Sequence, residues 1–108
     1  LLLQPVVENS IKYGFRTDRA LEINISVSIV RREIIFKISD NGNGIEEGRL
    51  KYIQGCLEAD TLIEIPNNLG LMNVNSRIRM RYGMRYGLHI SSVMDKGTEV
   101  TIRIPDIL

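Results

Sequence analysis

Residues 21–30 carry the pattern that most restricts the fold of this chain. Apolar and polar side chains alternate there without a break. The apolar positions are Leu21, Ile23, Ile25, Val27 and Ile29, and the polar ones between them are Glu22, Asn24, Ser26 and Ser28. A period of two places all the apolar side chains on one face of a strand. The pattern therefore predicts an antiparallel strand that is half-buried against a core.

Two more regions show the same period. After a charged turn at 31–33, Ile34, Phe36 and Ile38 share one face of a second strand, and the period places Asp40 on that apolar face too. Residues 88–104 predict a final hairpin that turns at 95–97.

Helical patterns fill most of the remaining chain. The predicted helices cover residues 2–14, 46–58 and 71–82, with Gly83 as a stop signal after the last of them. Residues 59–69 have no clean period and are expected to form a mobile loop. The order helix, strand, strand, helix, loop, helix, strand, strand predicts an α+β two-layer sandwich. Its helices cover one face of a mixed, mainly antiparallel sheet.

Composition sets limits on partners and compartment. A chain of 108 residues with 25% charged residues is one ordinary globular domain. A net charge of +1 gives no reason to expect nucleic acid or an anionic membrane as a partner. The basic cluster of Arg77, Arg79, Arg81 and Arg85 is expected to be a solvated helix face. The single cysteine, Cys56, excludes an internal disulfide, which fits a reducing compartment.

Three short polar stretches carry the chemistry. Residues 8–14 offer an acid, an amide and an amine on one helix. Residues 40–45 place a carboxylate at a strand end before a glycine turn, and residues 68–74 form a loop that runs into a helix N-terminus. Together these groups can hold a base, a magnesium ion and a triphosphate.

In order and chemistry, the three stretches resemble the N, G1 and G2 boxes of the ATP-binding domain of sensor histidine kinases. That family shares a wider group with gyrase, Hsp90 and MutL ATPases. The sequences of residues 3–9 and 97–105 resemble the corresponding segments of the LytS/YesM-like branch of this family. The resemblance covers nearly all of residues 1–108 and implies one catalytic domain with a Bergerat-type ATP-binding fold.

Asp40 is the strongest single candidate for a ligand-binding residue. A carboxylate on an apolar face is costly unless it is satisfied, and Gly42 and Gly44 allow a ligand to approach the backbone closely. Asp40 would accept a hydrogen bond from the exocyclic amine of adenine. The alternative is an ordinary strand-end turn. Thr98 matches a family threonine near this aspartate, or it is a plain strand hydroxyl.

The first box implies roles for four residues. The resemblance makes Asn9 the magnesium ligand and Lys12 a phosphate contact, and it places Glu8 beside the reaction centre to polarise the attacking imidazole. A neutral oxygen suits Mg²⁺ that keeps several waters. Without the resemblance, Glu8 and Lys12 at i,i+4 would read as a surface pair. Tyr13 contacts the ribose or is a core tyrosine.

The third box departs from the family pattern Gly-x-Gly-Leu, because Asn68 occupies the first glycine position before Gly70 and Leu71. Asparagine tolerates the left-handed conformation better than other non-glycine residues, but it adds a side chain where the backbone should meet phosphate. Phosphate binding is therefore expected, with lower strength. The helix start at Leu71 would supply free N–H groups.

The implied function is magnesium-dependent ATP binding and transfer of the γ-phosphoryl group to a histidine in two-component signalling. His89, the only histidine, is predicted on the polar face of a strand, so the acceptor is expected on missing upstream dimerisation helices. The alternatives are an ATP-binding scaffold without kinase activity and an anti-sigma-type serine kinase. A response regulator and a cytoplasmic location, in a membrane-anchored parent, are further expectations.

The first residues lie almost inside the first box, so the chain is expected to be a truncated piece of a larger protein. The strand over 21–30 would then have lost a sheet neighbour. We expect self-association of this chain, by edge pairing or by packing of the first helix.

Overall fold

The computed structural model describes residues 3–14, 18–59 and 69–106, without the side chains at positions 9, 12–14 and 69. Its elements follow the predicted order. They are α1 (Gln4–Gly14), β1 (Ile23–Val30), β2 (Glu33–Asp40), α2 (Glu47–Ala59), α3 (Leu69–Tyr82), β3 (Gly87–Val93) and β4 (Gly97–Pro105). Most of the predicted loop over 59–69 lies outside the described residues. Its two ends, Ala59 and Leu69, belong to α2 and α3.

The four strands form one sheet in the order β1-β2-β4-β3. Each neighbouring pair is antiparallel, which confirms the predicted fold class. The register places Asp40 opposite Ile23 on one side and opposite Thr98 on the other. The end of β2 therefore brings together a carboxylate and a hydroxyl that are far apart in the sequence.

Helices cover one face of the sheet. Helix α1 packs on β2, β4 and α3, while α2 and α3 pack on β3. The core between the layers is formed by Val6, Ile38, Ile53, Cys56, Leu57, Leu71, Met72, Val74, Ile78, Leu88, Ile90, Val100 and Ile102. Leu71, Val74 and Ile78 form the buried side of α3, and Cys56 is buried on α2. Among the described residues, no helix is long and apolar enough to cross a membrane.

Strand β1 is less buried than its alternation predicts. Its apolar face stays half open, with Ile25 50%, Val27 57% and Ile29 62% exposed. The alternation correctly sets which side chains share a face, because these three pair with the core-facing residues of β2. The predicted burial of β1 is wrong because the described helices pack over the other three strands and leave β1 largely uncovered.

Ile11 of α1 is another exposed apolar residue, with a relative exposure of 56%. It lies on the helix surface next to exposed Gln4, whereas Val6 and Ser10 of the same helix are buried.

Asn75 is a buried polar residue that joins three elements. Its Nδ2 donates to the Leu57 oxygen at 2.9 Å, at the end of α2. Its Oδ1 accepts from the Leu88 N–H at 2.9 Å, in β3. Both bonds are buried, where an unmade hydrogen bond is costly. Asn75 therefore fixes α3 against α2 and the sheet.

Arg79 departs from the predicted solvated face. It is half-buried, and its guanidinium donates to the Tyr86 oxygen at 3.0 Å and to the Glu58 oxygen at 2.7 Å. Because Arg79 lies one helical turn after Asn75 on α3, its side chain points toward the end of α2 and toward β3. Arg77 and Arg81 are exposed, as predicted.

Replacing Asn75 with alanine should lower the free energy of unfolding by about 2–5 kcal/mol, because two buried backbone groups lose their partners. Asn73→Ala is the matched control, since Asn73 is exposed on the same helix. It should change stability by less than about 0.5 kcal/mol. Denaturant unfolding of both variants measures this. Equal stabilities would contradict the structural role of Asn75.

Glu46 caps the N-terminus of α2. Its two carboxylate oxygens accept from the N–H groups of Gly48 at 2.8 Å and Arg49 at 3.0 Å. These backbone bonds, first that of Gly48, lower the pKa of the Glu46 carboxyl. The cap fixes where α2 begins and so where the loop after Asp40 ends.

Candidate functional site

The centre of the candidate site is the carboxylate at the end of β2. Asp40 is half-buried, and its Oδ1 accepts from the Gly42 N–H at 2.9 Å. Within residues 3–14, 18–59 and 69–106, its Oδ2 has no hydrogen-bond partner in the chain. One oxygen thus shapes the turn, while the other is available as an acceptor for a ligand.

A chain of hydroxyl groups sets the chemistry of Thr98, the cross-strand neighbour of Asp40. Ser92 Oγ donates its one proton to the Gly97 oxygen at 2.8 Å and accepts from the Ile45 N–H at 2.8 Å. The 2.9 Å contact between Ser92 Oγ and Thr98 Oγ1 must then use the proton of Thr98. Thr98 keeps its lone pairs and can act only as an acceptor toward a ligand.

Polar contacts hold the loop that follows Asp40 in place. The Asn41 side chain accepts from the Glu22 N–H at 2.7 Å and donates to the Ala20 oxygen at 3.1 Å. Arg19 Nη2 donates to the Asn41 oxygen at 2.5 Å and to the Asp95 oxygen at 3.0 Å. The loop is therefore fixed both to the segment before β1 and to the β3–β4 turn.

Two glycines allow this loop and the β3–β4 turn to meet. Gly97 has φ +137°, and a Cβ there would collide with the backbone oxygen of Asp40. Gly44 has φ +73°, and a Cβ there would collide with the backbone oxygen of Val93. Both residues also need a backbone conformation that L side chains rarely adopt. Close approach of the backbones keeps Asp40 and Thr98 at one rigid corner.

Helix α1 packs on α3, and Pro5 near the beginning of α1 lies close to the start of α3. A Cβ built on Gly70 would lie 3.6 Å from Cβ of Pro5. The N-terminal part of α1 therefore lies close to the start of α3, where free N–H groups favour anions.

Glu8 lies on an exposed part of α1, where its Oε1 accepts from Gln4 Nε2 at 2.9 Å. The contact restrains the carboxylate without removing it from solvent. Leu71 is 1% exposed in the core. Of this predicted ligand residue, only the backbone can therefore face a nucleotide. His89 is exposed on the sheet face that the helices leave open, as predicted.

Some predicted site residues are not placed. Asn68 lies outside the described residues, as do the side chains of Asn9, Lys12 and Tyr13. The described residues that do come together are Asp40, Gly42, Gly44 and Thr98, at one end of the sheet. The roles of all ten ATP-binding candidates stay predictions.

Sequence reasoning missed Ser92, Asn41 and Arg19. The sequence does contain a signal for Ser92, because the two-residue period of a strand places it on the same face of β3 as Leu88 and Ile90. A hydroxyl group on an apolar face needs a hydrogen-bond partner. Asn41 and Arg19 sit in turns, where no periodicity indicates a partner.

Comparison with known proteins decides the family. The model of the "Histidine kinase-, DNA gyrase B-, and HSP90-like ATPase" family matches residues 1–107. The chain belongs to this family. The predicted identity as a histidine kinase ATP-binding domain is thereby confirmed, while the LytS/YesM-like branch stays a prediction.

Curated relatives and solved structures agree with the family. The chain is 33% identical over 105 residues to the sensor protein kinase HptS of Staphylococcus aureus strain USA300. The match spans 97% of this chain but only 20% of that kinase. The catalytic domain of the histidine kinase ThkA has the same fold, with a TM-score of 0.73 at 17% identity over 97% of this chain and 64% of that one.

A second solved structure shares the fold of this histidine kinase ATP-binding domain. It is the histidine kinase domain of the blue-light activated kinase EL346 from Erythrobacter litoralis. That domain gives a TM-score of 0.64 at 21% identity, and the match covers 96% of this chain and 44% of that one.

Replacing Ser92 with alanine should weaken ATP binding about 3- to 10-fold. The Thr98 proton and the Ile45 N–H would lose their acceptor, so Thr98 would no longer be held as an acceptor. Ser91→Ala is the control, because Ser91 is exposed and adjacent. Calorimetric titration of both variants gives the affinities. Native affinity in Ser92→Ala would show that the hydroxyl chain is only structural.

Proposed function

We propose that this domain binds Mg-ATP and delivers its γ-phosphoryl group to a histidine on another segment of a larger kinase. The observation that carries the proposal is the pair of acceptors at Asp40 and Thr98, fixed opposite each other on the helix-covered face. Two acceptors match an exocyclic amine, which adenine has at C6. Guanine has a carbonyl there, and that oxygen would be repelled.

Asn9 would hold the magnesium ion. Among the described residues, no group of three or more His, Cys, Asp or Glu side chains forms a metal cage. A single neutral amide oxygen from Asn9, completed by phosphate and water oxygens, is a ligand set that suits Mg²⁺. When bound, the ion neutralises phosphate charge during transfer.

The start of α3 and Lys12 would bind the phosphates. Gly70 is exposed at this helix start, so the backbone N–H groups there can face an anion. Lys12 of α1, the helix that packs on α3, would add a positive charge. Asn68 in place of glycine lowers the strength that we expect of this contact. It also favours the second candidate function, an ATP-binding regulatory module without transfer.

Glu8 would act at the transfer step. Its exposed carboxylate can reach a group on another segment, where it would accept a proton from the attacking imidazole and so raise its nucleophilicity. The remaining catalysis is positioning and charge stabilisation, which dominate phosphoryl transfer. The partners would be histidine-bearing dimerisation helices and a response regulator, in a cytoplasmic part of the parent.

ATP should bind this domain with magnesium and be preferred over GTP by at least about tenfold, because Asp40 and Thr98 cannot donate to the guanine carbonyl. Calorimetry with both nucleotides, with and without Mg²⁺, measures the preference. Equal affinities for the two nucleotides would contradict the adenine assignment, and binding of neither would contradict the proposed function.

The domain alone should not label itself with γ-labelled ATP. His89, the only histidine, lies exposed on the sheet face opposite the helices, whereas Asp40 and Thr98 face the helix layer. Autoradiography after incubation measures this, with His89→Ala as control. A stable label that disappears in His89→Ala would show that this strand histidine is an acceptor.

A further inference from the structure

Positive charge is concentrated in one part of the chain. Residues 69–94, which include α3 and β3, contain four arginines and no lysine, aspartate or glutamate. The rest of the chain has ten basic and 13 acidic residues and therefore a net charge of −3. Of the four arginines, Arg79 is half-buried, while Arg77, Arg81 and Arg85 are exposed. The exposed positive charge thus lies on the C-terminal half of α3 and in the turn after it.

Two methionines lie among these arginines and are exposed as well. Met80 is 86% exposed, and Met84 in the turn after α3 is 60% exposed. Arg77, Met80 and Arg81 have the i, i+3 and i+4 spacing of residues on one side of a helix. Arginine and methionine are enriched in protein interfaces, whereas lysine and glutamate are depleted. We call Arg77, Met80, Arg81, Met84 and Arg85 the Arg/Met surface.

The Arg/Met surface has a rigid support. Asn75 and Arg79 hydrogen-bond α3 to α2 and to the region of β3. Tyr82 and Tyr86 contact each other edge to face, with ring centroids 6.4 Å apart. The guanidinium of Arg81 lies over the Tyr82 ring, 5.7 Å from its centroid. A surface that is ordered in advance loses less conformational entropy when a partner binds.

The charges of the Arg/Met surface are only partly neutralised. Arg85 Nε lies 3.2 Å from Glu33 Oε2, and the arginine side chain is still 74% exposed. Arg77 and Arg81 form no ion pair within residues 3–14, 18–59 and 69–106. The guanidinium group is suited to carboxylates, because its donors match the two carboxylate oxygens. The surface is therefore complementary to a partner with acidic side chains.

We propose that the Arg/Met surface binds an acidic amphipathic helix of a partner protein. The side of α3 offers side chains and no free backbone edge, so a second helix packed along it is the fitting mode of recognition. Apolar residues of the partner helix cover Met80 and Met84, and flanking aspartates or glutamates face the arginines. Methionine adapts its shape to such a partner. A membrane is disfavoured, because interfacial surfaces use tryptophan, phenylalanine or leucine with lysine.

The Arg/Met surface lies apart from the candidate nucleotide site. A helix rises about 1.5 Å per residue, so the end of α3, a helix of 14 residues, is about 20 Å from its start. Helix α3 packs on β3 and β4, whereas β1 is at the other edge of the sheet. The proposal therefore depends neither on nucleotide binding nor on the edge formed by β1.

Fluorescence anisotropy with labelled synthetic peptides tests the proposal. The probe is a helix of about 18 residues, long enough to form in isolation, with leucine at every third or fourth position and glutamate at most others. It should bind the domain, with an affinity that falls as salt is added. A peptide with lysine in place of glutamate should not bind. A peptide with serine in place of leucine should bind at least about tenfold more weakly, because it cannot cover the methionines.

Variants of the domain locate the binding surface. Arg77→Glu combined with Arg81→Glu should weaken binding of the glutamate peptide about tenfold, since reversal of each exposed charge costs about threefold. Met80→Gln should weaken it about 3- to 10-fold through lost apolar contact. Arg49→Glu and Met94→Gln are the matched controls at exposed positions elsewhere and should keep native affinity. Thermal unfolding verifies that each variant is folded.

Several results would overturn the proposal. Absence of binding by the glutamate peptide would show that the surface does not take an acidic helix, and equal binding of the serine peptide would exclude the methionines from the contact. Native affinity in the double arginine variant would place the binding elsewhere. Binding to phosphatidylserine vesicles without binding of the glutamate peptide would assign the surface to a membrane.

The same titration repeated with saturating Mg-ATP keeps the two proposals separate. The affinity for the glutamate peptide should not change, because the two sites lie at opposite ends of α3. Competition by Mg-ATP would place the peptide at the nucleotide site and contradict the assignment to the Arg/Met surface. A domain that binds the peptide but no nucleotide would contradict only the proposed function.

Discussion

Replacing Asp40 with alanine should weaken ATP binding by about 10- to 100-fold, which corresponds to the roughly 1.5–3 kcal/mol of a hydrogen bond to a charged group. The available Oδ2 of Asp40 would be lost as the acceptor for the adenine amine. Lys12→Ala should cost less, because Lys12 would contact only phosphate. Calorimetric titration with Mg-ATP compares the two variants.

The variant Asp40→Asn separates two roles of Asp40, the recognition of the base and the support of the turn that follows it. Asparagine retains one oxygen for the Gly42 N–H, which the native Oδ1 accepts at 2.9 Å. It places an NH₂ group where Oδ2 would meet the adenine amine, so two donors would oppose each other. ATP affinity should fall as in Asp40→Ala while the melting temperature stays near that of the native domain. Native affinity in Asp40→Asn would leave Asp40 as a turn residue only.

The sequence was sufficient for the elements whose limits are set locally. Helix α3 ends at Tyr82 as predicted, because Gly83 adopts φ +108° and its N–H donates to the Arg79 oxygen at 2.9 Å. The same applies to the final hairpin and to the faces of β2. Periodicity and glycine act over a few residues, so these features could be predicted without knowledge of the neighbours.

Burial was harder to predict because it depends on what covers an element. The alternation in β1 correctly gives its two faces, but only the packing of the helices decides that this apolar face stays open. Arg79 shows the reverse case. It is the same residue type as exposed Arg77, yet the turn of α3 places it against the Tyr86 and Glu58 carbonyls.

For the candidate site, the sequence indicated the carboxylate and the hydroxyl but not the residues that hold them in place. Asp40 and Thr98 were identified as candidates, and the β2–β4 register places them opposite each other. The residues that hold this corner were not found, because their partners are distant in sequence. Ser92 binds the Ile45 N–H, and Arg19 binds the Asp95 oxygen. Only the fold brings these groups together.

Replacing Glu8 with glutamine in the parent kinase should slow phosphoryl transfer to the histidine by about 100- to 10,000-fold, the range typical of a lost general base. Glutamine has the same shape but cannot accept the proton of the attacking imidazole. ATP binding should change by less than about twofold, since Glu8 is exposed on α1 and is not expected to contact the nucleotide. Rates with γ-labelled ATP at saturating concentration measure the chemical step.

Glu58→Gln is the control for Glu8→Gln, because it makes the same change of charge at an exposed position on another helix. It should transfer at the native rate. Gln4→Ala is informative as well, because it removes the 2.9 Å hydrogen bond that restrains Glu8. It should slow transfer only a few-fold, since the carboxylate remains. Transfer at the native rate in Glu8→Gln would exclude Glu8 as the base and leave positioning of ATP as the whole contribution of this domain.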